Sequence, residues 1–145
     1  MTVIGYAPGA FDLFHIGHLQ LLDRARQECD FLVAGVVDDA VLEVTKGYRP
    51  AIPTAERAAI VSAIDVVGDV HVETSVSKWL AWQSVGFHRI FKGDDWRGTA
   101  KGRALEELLA PAGVEVRYFP YTMHRSSSTI RRSLASDAAF VAVPS

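Results

Sequence analysis

Five short apolar runs alternate along the chain with longer stretches in which apolar residues recur every three or four positions. The runs are rich in valine, isoleucine and phenylalanine, and most are continuous rather than alternating between apolar and polar residues. Continuous runs of this length are typical of strands that are covered on both faces, as in a parallel sheet. The predicted strands are residues 3–7, 31–37, 70–73, 89–92 and 114–119.

Helical periodicity fills the intervals between these runs. One helix is predicted after His18, one behind a capping threonine at Thr54, and one behind a capping serine at Ser77. A fourth covers residues 104–109 and is stopped by a proline and a glycine, and a last one starts within residues 126–128. The stretch 42–53 is punctuated by glycine and proline and is predicted to be a mobile loop rather than a helix.

Strands that alternate with helices at this spacing predict an α/β domain with a doubly wound parallel sheet. In such sheets, ligands bind beyond the carboxyl ends of the strands, at the point where the strand order reverses. The loops that follow the first, fourth and fifth strands are therefore the expected place of any chemistry.

The composition is that of one small domain in a reducing compartment. The chain has 145 residues, and about 100–200 residues make one domain. We expect this domain to span residues 1–136, followed by a tail over residues 137–145 that has no strong pattern. One cysteine excludes an internal disulfide and a cysteine-based zinc site. The net charge of -2 argues against a nucleic-acid binder, and the lack of a long apolar run or a signal peptide predicts a cytoplasmic protein without a membrane span.

The sequence GAFDLFHIGH, from Gly9 to His18, follows the first predicted strand and opens the first helix. His15 and His18 are three residues apart, so on a helical turn they share one face. Gly17 between them leaves room for a ligand close to the backbone, and the free amides of a helix start favour an anion. Two imidazoles placed there can donate hydrogen bonds to phosphate oxygens. The alternative is a capped helix with two surface histidines.

This segment resembles the HxGH signature of the nucleotidylyltransferase superfamily, and its longer form, GxFDxxHxGH, is typical of the cytidylyltransferase branch. The sequence KGYRP, with the following Pro53 and Arg57, resembles the KGxxRPxxPxxxR region of the same families. The sequence FKGDDWRG is similar to the GDDWxG stretch of bacterial glycerol-3-phosphate cytidylyltransferases, and residues 122–128 lie where those enzymes carry RTxGISTT. The resemblance covers roughly residues 3 to 134.

The resemblance implies a Rossmann-like nucleotidylyltransferase fold and a defined reaction. The phosphate of a small phosphorylated alcohol attacks the α-phosphorus of a nucleoside triphosphate, CTP in this branch, and pyrophosphate leaves. Enzymes of this family form no covalent intermediate, use Mg²⁺, and are commonly homodimers. Catalysis by positioning and charge neutralisation fits a chain that is rich in phosphate-binding groups.

The resemblance also implies roles for individual residues. His15 and His18 hold the triphosphate and the charge that develops at its α-phosphate. Lys46 closes on the β- and γ-phosphates, although a solvated loop lysine is the alternative. The other residues predicted to bind the nucleotide are Gly9, Ala10, Phe11, Gly17, Arg57, Gly93, Asp94, Thr122, Arg125, Ser126, Ser127 and Ser128.

Some of these residues have simpler interpretations. Arg57 lies in the first turn of a predicted helix, an unfavourable place for a cation, which favours a ligand role over an ion pair with Glu56 or Asp65. Trp96 either stacks on a substrate or packs in the core. The serines of residues 126–128 either bind phosphate or form an ordinary helix cap. Asp94 and its neighbouring aspartate diverge in an extended strand, so we do not expect them to share one metal ion.

The acceptor half of the pattern departs from the family. Tyr121 stands in place of the arginine of RTxGISTT, and Asp65 stands where glycerol-3-phosphate enzymes carry an arginine. The reversal of charge points away from glycerol 3-phosphate itself, toward a different phosphate or phosphonate. The residues predicted to bind the acceptor are Asp12, Asp65, Trp96 and Tyr121. Two other functions stay open: an adenylyltransferase that uses ATP, of the flavin or pantetheine phosphate type, and a nucleotide-binding protein without turnover.

Overall fold

A computed structural model describes residues 1–120 of the chain. Within them, five parallel strands form one sheet in the order β3-β2-β1-β4-β5. The order reverses between β1 and β4, which confirms the predicted doubly wound α/β fold. Each strand lies within two residues of its predicted bounds: β1 Ile4–Gly9, β2 Phe31–Val37, β3 Asp69–Glu73, β4 Arg89–Gly93 and β5 Glu115–Phe119.

Helices cover both faces of this sheet, which explains why the strands are continuously apolar. On one face, Leu22 of the first helix and Val61 of the third pack in one buried cluster. On the other face, Ala81 of the fourth helix and Leu105 of the fifth pack around Tyr6 in a second cluster. The helices are α1 Ile16–Gln27, α2 Asp39–Lys46, α3 Thr54–Ser62, α4 Lys78–Val85 and α5 Ala100–Leu109.

The helix α2 contradicts the prediction of a loop over residues 42–53. The side chain of Leu42 in this helix is buried. The helix ends at Gly47, which adopts the left-handed conformation with a φ of 76°. The N–H of Gly47 donates to the carbonyl of Glu43, which satisfies a carbonyl at the helix end. The glycine is thus a helix stop rather than the centre of a loop, and the irregular stretch is limited to residues 47–53.

One predicted helix start agrees with the structure and two differ from it. Ser77 caps α4 as predicted, since its side chain accepts from the N–H of Leu80. Thr54 is the first residue of α3 rather than its cap, and α5 begins four residues before the predicted start because Thr99 caps it. No helix within residues 1–120 is long and apolar enough to cross a bilayer. The predicted last helix and the tail over residues 137–145 lie outside the described residues.

Candidate active site

The loop between β1 and α1 makes two sharp bends. Phe11 and Leu13 adopt positive φ angles of 53° and 51°, a conformation that costs bulky residues free energy and persists only where the surroundings fix it. Here Phe11 is buried in the core and Asp12 between the two bends is fully buried. The bends therefore turn one carboxylate inward and bring the chain to the start of α1 at His15.

His15 and His18 form a capping arrangement at the start of α1. The Nδ1 atom of His15 accepts from the N–H of Gly17 at 3.1 Å, and the Nδ1 atom of His18 accepts from the N–H of His15 at 3.2 Å. The two ring centroids are 4.0 Å apart, which confirms that the histidines share one face. Because a backbone N–H can only donate, both Nδ1 atoms carry a lone pair. Each neutral ring therefore carries its proton on Nε2.

The half-buried position of His18 keeps its ring neutral. Its pKa is lowered from 6.5 to about 4, chiefly by burial and then by the neighbouring His15, while Asp12 opposes the shift. The ring is thus a neutral Nε2–H donor at pH 7. Protonation would place a second hydrogen on Nδ1, opposite the N–H of His15, and would break the cap.

We therefore expect His18 to titrate near pH 4 in the folded protein. The shift of its ring Cε1–H signal in NMR spectra measures this titration. Because the folded pKa lies below that of the unfolded chain, the stability contributed by this neutral ring is complete above pH 6.5 and is lost as the pH falls toward 4. The variant His18→Asn lacks the signal and identifies it. A titration near pH 6.5 would contradict the half-buried, cap-forming ring.

Asp12 and Arg57 are both committed to the protein's own backbone. The carboxylate of Asp12 accepts from the N–H groups of Ala51 and Ile52 at 2.8 and 2.9 Å. Arg57 is 1% exposed, and its five N–H groups donate to the acceptors of five residues: Ala10, Val37, Asp39, Ile52 and Thr54.

These contacts correct two predictions. Arg57 joins the loops after β1 and β2 to the start of α3, and its ion pair is with Asp39 at 2.7 Å rather than with Glu56 or Asp65. A guanidinium whose donors are all engaged has none to offer a phosphate, which explains a cation in the first turn of a helix. Asp12, predicted to bind the acceptor, instead holds the backbone of residues 51–52.

The structure also contradicts the prediction that Asp65 binds the acceptor. It is exposed in the turn between α3 and β3, three residues before Gly68, whose N–H donates to the carbonyl of Leu32 at the start of β2. Asp65 therefore lies at the amino end of the sheet, while the histidines lie beyond its carboxyl end. The charge reversal at this position does not face the candidate site of the same chain.

A cleft of about 620 Å³ opens beside the histidine loop, at the carboxyl end of the sheet. It begins at Gly9 and Ala10 and extends over α2, the end of β3, α4 and α5. We call it the lysine cleft, because the four lysines of the chain all line it: Lys46, Lys78, Lys92 and Lys101. Of the eleven arginines in the sequence, none of those within the described residues does so.

Only Lys46 of this group was predicted from the sequence as a site residue. It is the last residue of α2 and is exposed. Sequence reasoning missed Lys78 in the first turn of α4 and Lys92 next to the end of β4. A signal existed for both, since a lysine near a buried strand end and a lysine in the first turn of a helix are each unfavourable without a partner.

The partner of Lys78 is Glu73, a buried carboxylate at the end of β3. Its Oε1 lies 2.5 Å from Lys78 Nζ, and its Oε2 accepts from the hydroxyl of Tyr6 at 2.5 Å. Burial, followed by the charge of Glu73, raises the pKa of Tyr6, so the phenol stays protonated and donates. Glu73 was also missed, and it fixes Lys78 at the edge of the cleft.

The GDDW segment lies at the carboxyl end of β4, as predicted. Gly93 ends the strand, and Asp94 to Trp96 form a single turn of 3₁₀ helix. Trp96 lines the lysine cleft, and the Nζ atom of Lys92 lies 4.0 Å from its ring centroid. Its ring thus contacts a protein cation. The predicted sites at Tyr121, Thr122, Arg125, Ser126, Ser127 and Ser128 lie outside the described residues.

Within residues 1–120, no group of three or more His, Cys, Asp or Glu side chains could hold a metal ion.

Comparison with known proteins places this geometry in a family. The family model described as "Cytidylyltransferase-like" matches residues 6–133. The chain is 33% identical over 129 residues to the glycerol-3-phosphate cytidylyltransferase of Bacillus spizizenii, covering 88% of this chain and 94% of that protein. It is 31% identical over 132 residues to the bifunctional protein HldE of Citrifermentans bemidjiense, covering 90% of this chain. The chain spans 27% of the length of that HldE protein.

A solved structure shares the fold. The lipopolysaccharide core biosynthesis protein of Thermoplasma volcanium superposes with a TM-score of 0.72 at 22% identity, over 83% of this chain and 99% of that one. At this identity the likeness concerns the fold, and it agrees with the five-stranded parallel sheet described above.

Proposed function

Since the chain belongs to the cytidylyltransferase-like family, we propose that it transfers CMP from CTP to a small phosphorylated alcohol or phosphonate and releases pyrophosphate. The observation that carries the proposal is the pair of neutral imidazoles at the start of α1. Their Nδ1 atoms are engaged by the backbone, so their Nε2–H groups are donors fixed in place before any substrate binds.

The proposed reaction needs charge neutralisation rather than proton transfer. An oxygen of the acceptor's phosphate forms a bond to the α-phosphorus of CTP, the bond from that phosphorus to the bridging oxygen breaks, and pyrophosphate leaves with the electron pair. No proton has to be removed from an ionised phosphate. Preorganised donors that face the developing charge lower the barrier of such a step, and the Nε2–H groups of His15 and His18 are donors of this kind.

Lys46 and Mg²⁺ complete the proposed nucleotide site. Lys46 lines the cleft that begins at the histidine loop and would bind the β- and γ-phosphates. Mg²⁺, when bound to the triphosphate, supplies further neutralisation of its charge. The homodimer expected for this family stays a prediction.

An assay of pyrophosphate release tests the proposal directly. The protein is incubated with Mg²⁺, either CTP or ATP, and a panel that contains glycerol 3-phosphate, phosphoethanolamine, sugar phosphates and short phosphonates. Release that requires CTP and one acceptor supports the proposal. Release with ATP alone would make the protein an adenylyltransferase, and nucleotide binding without release for any acceptor would indicate a binding protein.

Replacing Lys46 by alanine is expected to weaken CTP binding and to lower kcat, each roughly tenfold, because a charge-assisted contact to phosphate is lost. Arg49→Ala is the matched control. Its side chain is 70% exposed and pairs with Glu43 outside the cleft, so this variant should keep the CTP affinity of the wild type. Equal losses in the two variants, measured by calorimetry and steady-state kinetics, would contradict the role of Lys46.

A further inference from the structure

The lysine cleft combines positive charge with an apolar wall. Its lining includes Val41 and Leu42 of α2 and Leu105 and Leu108 of α5. Among the described lining residues Glu73 is the acidic one, and it is already engaged by Tyr6 and Lys78. A cleft with four ammonium groups and one committed carboxylate has a surplus of positive charge. It suits an anionic ligand and disfavours a cationic one.

Lys92 lies against an aromatic ring at the wall of the lysine cleft. It is half-buried near the end of β4, and within residues 1–120 no carboxylate oxygen lies within ion-pair distance of its Nζ atom. Its close contact is the ring of Trp96 at 4.0 Å. A half-buried ammonium supported by an aromatic face instead of a carboxylate can still donate its hydrogen bonds to a ligand.

The position of Trp96 is fixed by the helix that follows it. The carbonyl of Trp96 accepts from the hydroxyl of Thr99 at 2.7 Å. A Cβ atom at Gly102 would lie 2.0 Å from that carbonyl oxygen, so the glycine allows α5 to pack directly on the turn that carries Trp96. The turn that carries Trp96 is therefore packed directly against α5 at the wall of the cleft.

Lys92 directly precedes Gly93 and Asp94, two of the predicted nucleotide contacts. The other predicted contacts lie in the loop after β1, at the start of α1 and after β5, with Lys46 at the end of α2 in the same cleft as Lys92. The lysine cleft begins at the same loop but continues over α4 and α5, on the face of the sheet opposite to α1. A second substrate that enters this cleft would meet the nucleotide at the histidines.

Building on the proposed function, we propose that Lys92 binds the phosphate or phosphonate group of the acceptor and that Trp96 positions the side chain of Lys92. Lys78, fixed by Glu73, supplies the second cation on the α4 side. Because the surplus charge of the cleft is positive, the acceptor class is an anion whose remaining part carries no positive charge, rather than an amino-alcohol phosphate.

Binding measurements test this assignment without any turnover. The protein is saturated with α,β-methylene CTP, which occupies the nucleotide site and cannot release pyrophosphate. It is then titrated in a calorimeter with inorganic phosphate and, separately, with glycerol 3-phosphate. We expect Lys92→Met to weaken phosphate binding roughly tenfold to a hundredfold, as for a lost hydrogen bond to a charged group. Affinity for the CTP analogue should stay unchanged.

Controls distinguish recognition from damage to the fold. Lys92→Arg retains the charge and should recover most of the phosphate affinity. Arg103→Met removes an exposed cation of α5 that does not line the cleft, and it should bind phosphate as the wild type does. Trp96→Leu keeps Lys92 but removes its support, so phosphate binding should weaken while the melting temperature of the CTP-analogue complex changes little.

The pH dependence gives an independent readout. The pKa of Lys92 is lowered to about 8, chiefly by burial and then by Lys78 and Lys46, while Glu73 and Asp95 oppose the shift. Phosphate affinity in the wild type should therefore fall as the pH rises through 8, and it should stay flat over the same range in Lys92→Arg.

Three results would overturn the assignment: unchanged phosphate binding in Lys92→Met, weakened binding of the CTP analogue instead, or stronger binding of phosphoethanolamine than of glycerol 3-phosphate. Each can occur while CTP-dependent pyrophosphate release is intact, so failure of this assignment is distinguishable from failure of the proposed function. Conversely, phosphate binding that depends on Lys92 in a protein without turnover would support the assignment and contradict the enzyme activity.

Discussion

Replacing His18 by asparagine is expected to lower kcat by roughly a hundredfold or more, the usual cost of removing a preorganised donor to a transition state. The amide of asparagine can overlay the Nδ1 atom of the imidazole, so the cap to the N–H of His15 is kept. What is lost is the Nε2–H group. The prediction therefore isolates the donor from the helix cap, and steady-state measurement of pyrophosphate release checks it.

Stability measurements complete that experiment. His18→Asn should unfold in urea at nearly the wild-type midpoint, whereas His18→Ala should lose about 1 kcal/mol as well, because the cap is gone. If His18→Asn turned over at the wild-type rate, His18 would be a helix-capping group alone. The proposed mechanism would then lose its central residue.

Replacing Arg57 by methionine is expected to reduce the free energy of unfolding by about 3–5 kcal/mol, as for removal of one partner from a buried ion pair. The side chain of Arg57 is fully buried, its pair with Asp39 spans 2.7 Å, and three backbone carbonyls would lose their donors. Urea unfolding followed by circular dichroism measures the loss.

Two further variants define what Arg57 does. Arg57→Lys keeps the charge but offers three donors without the planar fork, so most of the loss should remain. Arg49→Met removes an exposed pair and should cost less than about 1 kcal/mol. If Arg57→Met kept its stability and only bound CTP more weakly, the nucleotide contact predicted from the sequence would be correct and the structural role wrong.

The sequence predicted the sheet and the histidine pair because both depend on local patterns. Continuous apolar runs identify strands in a parallel sheet regardless of what packs on them. Likewise, the spacing of His15 and His18 determines that they share one turn wherever the helix lies. The doubly wound order followed from the alternation of strands and helices, and the GDDW segment was correctly placed at a strand end.

Long-range partners could not be predicted in this way. Arg57 has acceptors up to 47 residues away, and nothing in its neighbours indicates that the carbonyl of Ala10 lies beside it. The lysine cleft gathers single residues from α2, α4, β4 and α5, and no two of its lysines lie within eight positions of each other in the chain. The helix α2 was missed for a different reason, because Gly47 was interpreted as part of a loop when it ends a helix.

The contacts of Asp12 have a consequence for how Lys46 could reach a substrate. Thr54 contacts Asp38 and Asp39 at the start of α2, and Asp12 binds the backbone of residues 51–52 after α2. The stretch between these contacts, which contains Lys46, is therefore attached to the rest of the domain at both of its ends. Any change in the position of Lys46 has to be accommodated between these two attachments, where Gly47 has the backbone freedom that the other residues lack.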